Sequence, residues 1–404
     1  MLGRVVLIFF LFVRLFFWYC LVIVTPKKRR SILLIPSFTE YGGTRTYFFY
    51  LIEYLFKKNY LVTVMLTKSQ CDEEVQALQA QYPFIIQPLK FDVIRTKFEG
   101  TVFYQKNQDY LIYHLKELIY FWKQIVKLKA SHLVISASNP EVLLSLMLSP
   151  LRVTYIIHTI TMNWMDNLKK RLLNFSFSKR KQIITVSKSA REHILKNWTS
   201  SRNSSHIKVV YNFYQPLTQS VQHHSSSIKK VLTVGSVVYY KNPFLWRDVC
   251  KEVLLQYPGH AVEFIWAGDG ELLADCRQMV KDIPQIKFIG YQKNIEQLYA
   301  DCTIYFQPSI FESHGIAALG AMYFQKPCVV SNKQGLPESV IENETGLVVA
   351  VEQPHAAAMA ILALLNDNEK AVEFGKAGKE RVNTYFVKSK WYSDMDRLIT
   401  SSAR

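Results

Sequence analysis

Cysteine is scarce and scattered in this sequence. The six in 404 residues (Cys20, Cys71, Cys250, Cys276, Cys302 and Cys328) include no CxxC pair, and no histidine cluster stands beside them. That excludes a zinc ribbon and a disulfide-stapled scaffold, and leaves reduced, buried thiols in a cytosolic protein as the expectation. Acidic residues are short in one half only. Residues 1–215 carry 30 Lys and Arg against 12 Asp and Glu, a balance of +18, whereas residues 216–404 carry 19 against 20, a balance of −1. Such an excess marks a polyanionic partner. No helix-turn-helix pattern, zinc finger or aromatic RNA-binding signature accompanies it, so nucleic acid is not expected. An anionic membrane surface fits better, because basic clusters beside such lipids gain about 1 kcal/mol per Lys or Arg.

What the first half does have is an apolar run at its very start. From Val5 to Thr25 it is broken by Arg14 alone and is followed by Pro26 and the basic run Lys27, Lys28, Arg29 and Arg30. This length suffices to span a bilayer, and the basic flank then places the remaining chain in the cytoplasm. A central Arg costs about 2.5–3.5 kcal/mol on insertion scales, so a helix lying in the membrane interface is the alternative. No small-x-small site follows the run, which argues against a cleaved signal peptide. Residues 1–30 are therefore expected to be a membrane anchor, with the rest of the chain at the cytoplasmic face.

Beyond residue 30 the pattern changes to alternation. SILLIPSF, a Gly42-Gly43 turn, the helical TYFFYLIEYLFKKN and then YLVTVMLT form a strand, loop, helix, strand unit. The order is that of a parallel α/β sheet, in which loops at the carboxyl ends of strands face the ligand. HLVISAS, VTYIIHT, KQIITVS and IKVVYNF continue it, with Asn139 as N-cap and Pro140 as first residue of the helix after HLVISAS. The stretch 216–230 turns Ser-, Gln- and His-rich and reads as a linker, where His223 and His224 are expected to face solvent rather than a metal. A second alternating set follows: KVLTVGS, AVEFIWAG, IKFIGY, CTIYFQPS and PCVVSN, then helices from about Ala356 to Ile399 with Trp391 and Tyr392 as anchors. The expectation is two doubly wound α/β domains, 31–215 and 231–404, facing each other across a crevice.

The chemistry concentrates between Pro308 and Val349. CTIYFQPS closes a strand, Glu312, Ser313, His314 and Gly315 form a turn, and a helix opens at about Gly315 with Ile316 behind it. A helix start offers unpaired N–H groups and partial positive charge, so anionic or hydroxyl-rich ligands can dock there, with Glu312 accepting from sugar hydroxyls. The bland alternative is that Glu312 merely caps the helix. P-S-x-x-E-x-x-G, then x-P-C-V, G-x-x-E-x-V and N-x-T-G-L-V together resemble the donor-site signature of family 4 retaining glycosyltransferases, which have the GT-B fold. Weaker likenesses extend this to Gly42 and Gly43, to TVGSVVYYKNP with Gly235 and Ser236, and to WAGDGELL with Asp269.

The resemblance implies a nucleotide sugar, UDP- or GDP-linked, bound by the C-terminal domain and an acceptor bound by the N-terminal one. It implies that Lys241 meets the donor diphosphate, that His158 lies near the reacting sugar, and that Ser187 borders the crevice. Thr159 and Asn163 are acceptor-side candidates. No cofactor or metal is implied, and Asp394 and Asp396 lie on a terminal helix where residues two apart face different directions.

Two positions depart from the pattern. Ser236 stands where an arginine is usual, so a bidentate grip on phosphate is lost. Gly320 stands where a second glutamate commonly accepts the ribose hydroxyls, eight residues after Glu312. Losing a charged hydrogen bond of about 1.5–3 kcal/mol would weaken donor binding. The main reading is a membrane-associated glycosyltransferase with a lipid-linked or glycan acceptor. A catalytically silent partner of an active transferase is the alternative, and a GT-B epimerase does not explain the anchor.

Overall fold

Short apolar runs closed by Gly, Pro or Ser become the strands of two separate parallel sheets. The computed structural model describes residues 30–36, 38, 42–89, 120–137, 144–147, 149, 151–158, 167–216, 221, 227–259, 261–350 and 352–400. The expected anchor up to Arg29, the Asn139 cap with Pro140, Thr159, Asn163 and the linker histidines lie outside these. Among the described residues no helix is long and apolar enough to cross a membrane. The chain divides into two units, one holding residues 30–185, 190–209 and Ile399, the other Val186–Ser189 and Val210–Leu398.

The first unit is built on a seven-stranded sheet of β1 (Ser31–Pro36), β2 (Leu61–Leu66), β3 (Ile85–Pro88), β4 (His132–Ala137), β5 (Arg152–Ile157), β6 (Lys181–Thr185) and β7 (Ile207–Val209). Their spatial order is β3-β2-β1-β4-β5-β6-β7 and every pairing is parallel. Parallel sheets survive only when both faces are covered, which explains near-continuous apolar strands. Leu33, Ile35, Leu133, Ile135, Val153, Tyr155 and Ile183 project to one face and form its core. The other face mixes Ile32, Leu34 and Val134 with buried polar groups, His132, Ser136 and Thr154. Helix α1 (Gly43–Lys57) follows β1 directly, three residues earlier than its apolar pattern indicates, and buries Tyr47, Phe48, Leu51 and Leu55. Arg45 in its first turn is buried and paired with Asp72 at 2.7 Å and Glu74 at 3.0 Å.

The second unit carries six strands: β8 (Lys229–Val234), β9 (Val262–Ala267), β10 (Ile286–Gly290), β11 (Ile304–Gln307), β12 (Cys328–Ser331) and β13 (Gly346–Val349). Their order is β10-β9-β8-β11-β12-β13. Strand β8 starts at Lys229, inside the stretch read as linker. Alternation sorts the side chains cleanly: Val231, Phe264, Trp266, Ile304, Phe306 and Val329 pack on one face with helices α2 (Pro243–Gln256) and α4 (Pro354–Asn366). Leu232, Tyr305, Cys328 and Val330 pack on the other, under α3 (Ile316–Tyr323) and α5 (Asn368–Tyr385). The C-terminal helical stretch consists of three helices, closing with Lys388–Met395 and a π-turn, and Trp391 is buried against Phe213. All five described cysteines are free. Four are buried, but Cys71 is only half-buried, a correction to the expectation, because it sits in the turn between β2 and the helix Glu73–Gln81.

Trp246 of α2 is fully buried and meets Phe264, Trp266 and Phe288 edge to face at 5.0–6.3 Å. Truncation of such an anchor typically costs about 3–5 kcal/mol. We expect Trp246→Ala to lower the free energy of unfolding, read from urea titration, by an amount in that range, and an unchanged midpoint would contradict this packing.

Candidate functional site

In a doubly wound sheet the ligand crevice opens where strand order reverses, outside the carboxyl ends of the strands. In the second unit the reversal falls between β8 and β11. The loop leaving β8 contains Gly235, Ser236 and Lys241, and the loop leaving β11 contains Glu312, Ser313, His314 and Gly315. The two loops are stitched together by backbone: the amides of Ile310 and Phe311 donate to the Tyr240 carbonyl at 2.8 and 3.3 Å. Across this seam the Lys241 ammonium pairs with Glu312, their side chains 18% and 17% exposed. Burial opposes the charge on Lys241, but attraction to Glu312 outweighs it and holds the lysine above its ordinary range.

Glu312 is fixed from below as well. The Tyr305 hydroxyl donates to Gln307 Oε1 at 2.9 Å, and Gln307 Nε2 donates to Glu312 Oε2 at 2.7 Å. Sequence reading missed Gln307, although an amide closing the apolar strand CTIYF was a visible signal. Glu312 does not cap the helix: α3 begins after Gly315, at φ 81°, with no side-chain cap. Its first N–H groups are therefore left for a ligand or solvent. Ser313 Oγ and both ring nitrogens of His314 are buried and meet no hydrogen-bond partner among the described residues. His314 sits between Tyr211 and Phe386, with centroids 5.1 Å from each. Burial first, and the Arg381 charge second, push it down to about 3, so it is neutral across the physiological range.

Asp269 is a turn residue: its Oδ1 accepts from Gly270 N at 2.8 Å and its carbonyl from Val237 N at 2.8 Å. Glu338 of the signature lies apart from the pair. It accepts from the Tyr211 hydroxyl at 2.7 Å and from the amides of Lys188 and Ser189 at 2.8 and 2.7 Å, all within the second unit. Ser187 is buried. Asp394 pairs with Arg397 one helical turn on.

Gly320 is the position that packing explains. A Cβ built there would lie 2.8 and 2.9 Å from ring atoms of Tyr299 and 2.9 Å from Tyr214. Tyr299 cannot swing aside, since it is 2% exposed and held by Tyr305 and Phe324. The space a side chain at 320 would need is filled by two aromatic rings.

The first unit contributes its own candidates at the carboxyl ends of its strands. Gly42, after β1, has φ 119° with open space where a Cβ would stand, and Gly43 begins α1. His158 follows β5, is 8% exposed, packs its ring against Tyr47 at 4.3 Å, and has Nε2 2.7 Å from Ser136 Oγ. Burial pushes it down to about 3 as well.

The fold has close counterparts among solved structures. A glycosyltransferase from Rickettsia africae superposes with TM-score 0.71 at 15% identity, over 92% of this chain and 98% of that one. Anabaena HepE in complex with UDP and glucose superposes with TM-score 0.69 at 15% identity, over 93% and 100%. This likeness establishes the fold. Residues 218–381 match the family model for glycosyl transferases group 1. An uncharacterized glycosyltransferase of Methanocaldococcus jannaschii is 28% identical over 205 residues, 46% of this chain and 51% of that protein. N-acetyl-alpha-D-glucosaminyl L-malate synthase of Bacillus anthracis is 25% identical over 200 residues, 49% of each. The chain thus spans about half the length of these relatives.

Two outcomes test the site's packing. Alanine is favoured over glycine in a helix by about 1 kcal/mol, but overpacking a rigid core costs about 1–3 kcal/mol. Gly320→Ala is therefore expected to lower the melting temperature, and a rise would refute the tyrosine packing. His314 has a folded value near 3 against 6.5 unfolded. The unfolded state takes up the proton first, so stability is complete above about pH 6.5 and falls as pH drops toward 3, by about 2 kcal/mol at pH 5. His314→Phe should remove that share of the acid sensitivity in denaturant titrations at pH 7 and pH 5.

Proposed function

We propose that the chain transfers a sugar, with retention of configuration, from a UDP- or GDP-linked donor to a lipid-linked or glycan acceptor at a membrane, without a metal or other cofactor. The observation that carries this reading is the Lys241–Glu312 pair set across the strand-order reversal, beside an uncapped helix start. Glycosyl transfer demands, above all, stabilisation of the departing diphosphate by charge already in place. Lys241 supplies that charge, and the first amides of α3 add oriented dipoles.

In the free protein Glu312 is the lysine's counter-charge. An arriving diphosphate competes for the ammonium, and Glu312, still held by Gln307, turns its acceptor oxygens to the sugar hydroxyls. The likeness to an N-acetyl-alpha-D-glucosaminyl L-malate synthase and to HepE, whose structure holds UDP and glucose, supports a nucleotide-sugar donor. The apolar run at residues 5–25 and the basic excess of residues 1–215 support a membrane-proximal acceptor and attachment at the cytoplasmic face.

One observation favours a second reading, a catalytically silent partner of an active transferase. Tyr214 and Tyr299 fill the space beside Gly320, and Ser236 brings no guanidinium to the phosphate turn. Incubation of the purified full chain with membranes and a panel of nucleotide sugars separates the two. The enzyme reading expects turnover of one donor. Lys241→Ala and Glu312→Ala should each reduce kcat/KM by about 100- to 1,000-fold while leaving thermal unfolding cooperative. Full activity in both variants would sink the site, and failure of the wild-type chain to bind UDP or GDP would favour the silent partner.

A further inference from the structure

We propose that Ser136 is a positioning residue that fixes the imidazole of His158 as a neutral hydrogen-bond donor through Nδ1, aimed at an oxygen of the bound sugar. The role of the sugar rests on the function proposed above, whereas the tautomer does not. Ser136 lies near the end of β4 and is in register with Ile156 of β5, so His158 stands two residues further along the neighbouring strand. Alternation puts both side chains on one face of the sheet. The contact runs on a diagonal that this strand pair uses twice. His132 and Thr154 stand in the same offset, and His132 Nε2 lies 2.9 Å from Thr154 Oγ1, as His158 Nε2 lies 2.7 Å from Ser136 Oγ. The backbone register therefore sets the geometry, and Tyr47 holds the imidazole from above.

The direction of the hydrogen bond follows from what each group has left. Ser136 is 2% exposed, and its hydroxyl meets no other partner among the described residues. If the hydroxyl accepted from Nε2–H, its own hydrogen would be buried without an acceptor, at a cost of about 1–3 kcal/mol. If it donates to Nε2, only an oxygen lone pair goes unused, which is the cheaper state. Ser136 thus donates, Nε2 accepts, and the single imidazole proton resides on Nδ1. Nδ1 meets no partner among the described residues, so its N–H is available at the carboxyl end of the sheet, where the parallel strands β1 and β4 also end. His158 then acts as a fixed, uncharged donor, not as a proton carrier.

The experiment uses full-length protein labelled with ¹⁵N-histidine, with the His158 signals assigned by their loss in His158→Gln. Long-range ¹H–¹⁵N correlation at pH 7 should show His158 in the Nδ1–H tautomer alone. Ser136→Ala should convert it to a mixture or to Nε2–H, and Ser136→Thr should restore it. A wild-type Nε2–H tautomer, or no change in Ser136→Ala, overturns the proposal. On a turned-over donor, Ser136→Ala is expected to lower kcat/KM about tenfold, with recovery in Ser136→Thr. An unchanged kcat/KM would overturn the positioning role. If the wild-type chain turns over no donor, the proposed function fails, and the tautomer measurement still decides the assignment of Ser136.

Discussion

The reversal of strand order between β8 and β11 is the constraint on which the second unit's chemistry depends. Two strands adjacent in space send their chains away in opposite directions, so the loops that leave them part over a common opening. Lys241 and Glu312 are 71 residues apart in sequence and meet only because of this topology. The pair stabilises the closed seam between the loops and keeps a desolvated ammonium charged. Its partners follow in sequence: Gln307 orients the carboxylate, Tyr305 orients Gln307, and Tyr305 is locked in the core under α3. The polar site is the upper end of a packed column rather than a feature set on a loose loop.

Both sheets obey the same rule and use it differently. In the second unit the two faces divide the apolar residues cleanly, and the buried polar residues Thr233, Gln307 and Ser331 stand towards the carboxyl ends of their strands. In the first unit one face admits His132, Thr154, Ser136 and His158 into the sheet itself, each satisfied along the β4–β5 diagonal. Buried polar pairs of this kind are stable only when the partner geometry is imposed by the backbone, because a missed bond leaves a desolvated group behind. Arg45 is the charged counterpart, buried between Asp72 and Glu74 at the start of α1.

Much of the fold was legible because strands covered on both faces must be apolar throughout, and runs such as ILLI, VLTV and CVV announce themselves between Gly, Pro and Ser. Strand β3 escaped because its four residues are partly exposed and do not alternate. The turn Glu312–Gly315 and the helix after it were legible from a local pattern. The reason for Gly320 was not, because Tyr214 and Tyr299 lie 106 and 21 residues away and only the folded unit brings their rings to it. The same holds for Ser136 and for the choice between capping and ion pairing at Glu312, each decided by a partner on a different element.

The tyrosines beside Gly320 also bear on how this chain can change. A glycine that merely lacks a side chain can regain one in a single step, but here the vacated volume has been taken up by rigid rings. A larger residue at 320 is overpacked unless Tyr214 or Tyr299 shrinks, and shrinking either first leaves a void in the core. Each of the two orders passes through a weakened intermediate. The glycine and the two rings are therefore coupled, and a side chain can be accommodated at this helix position only when its aromatic neighbours change with it.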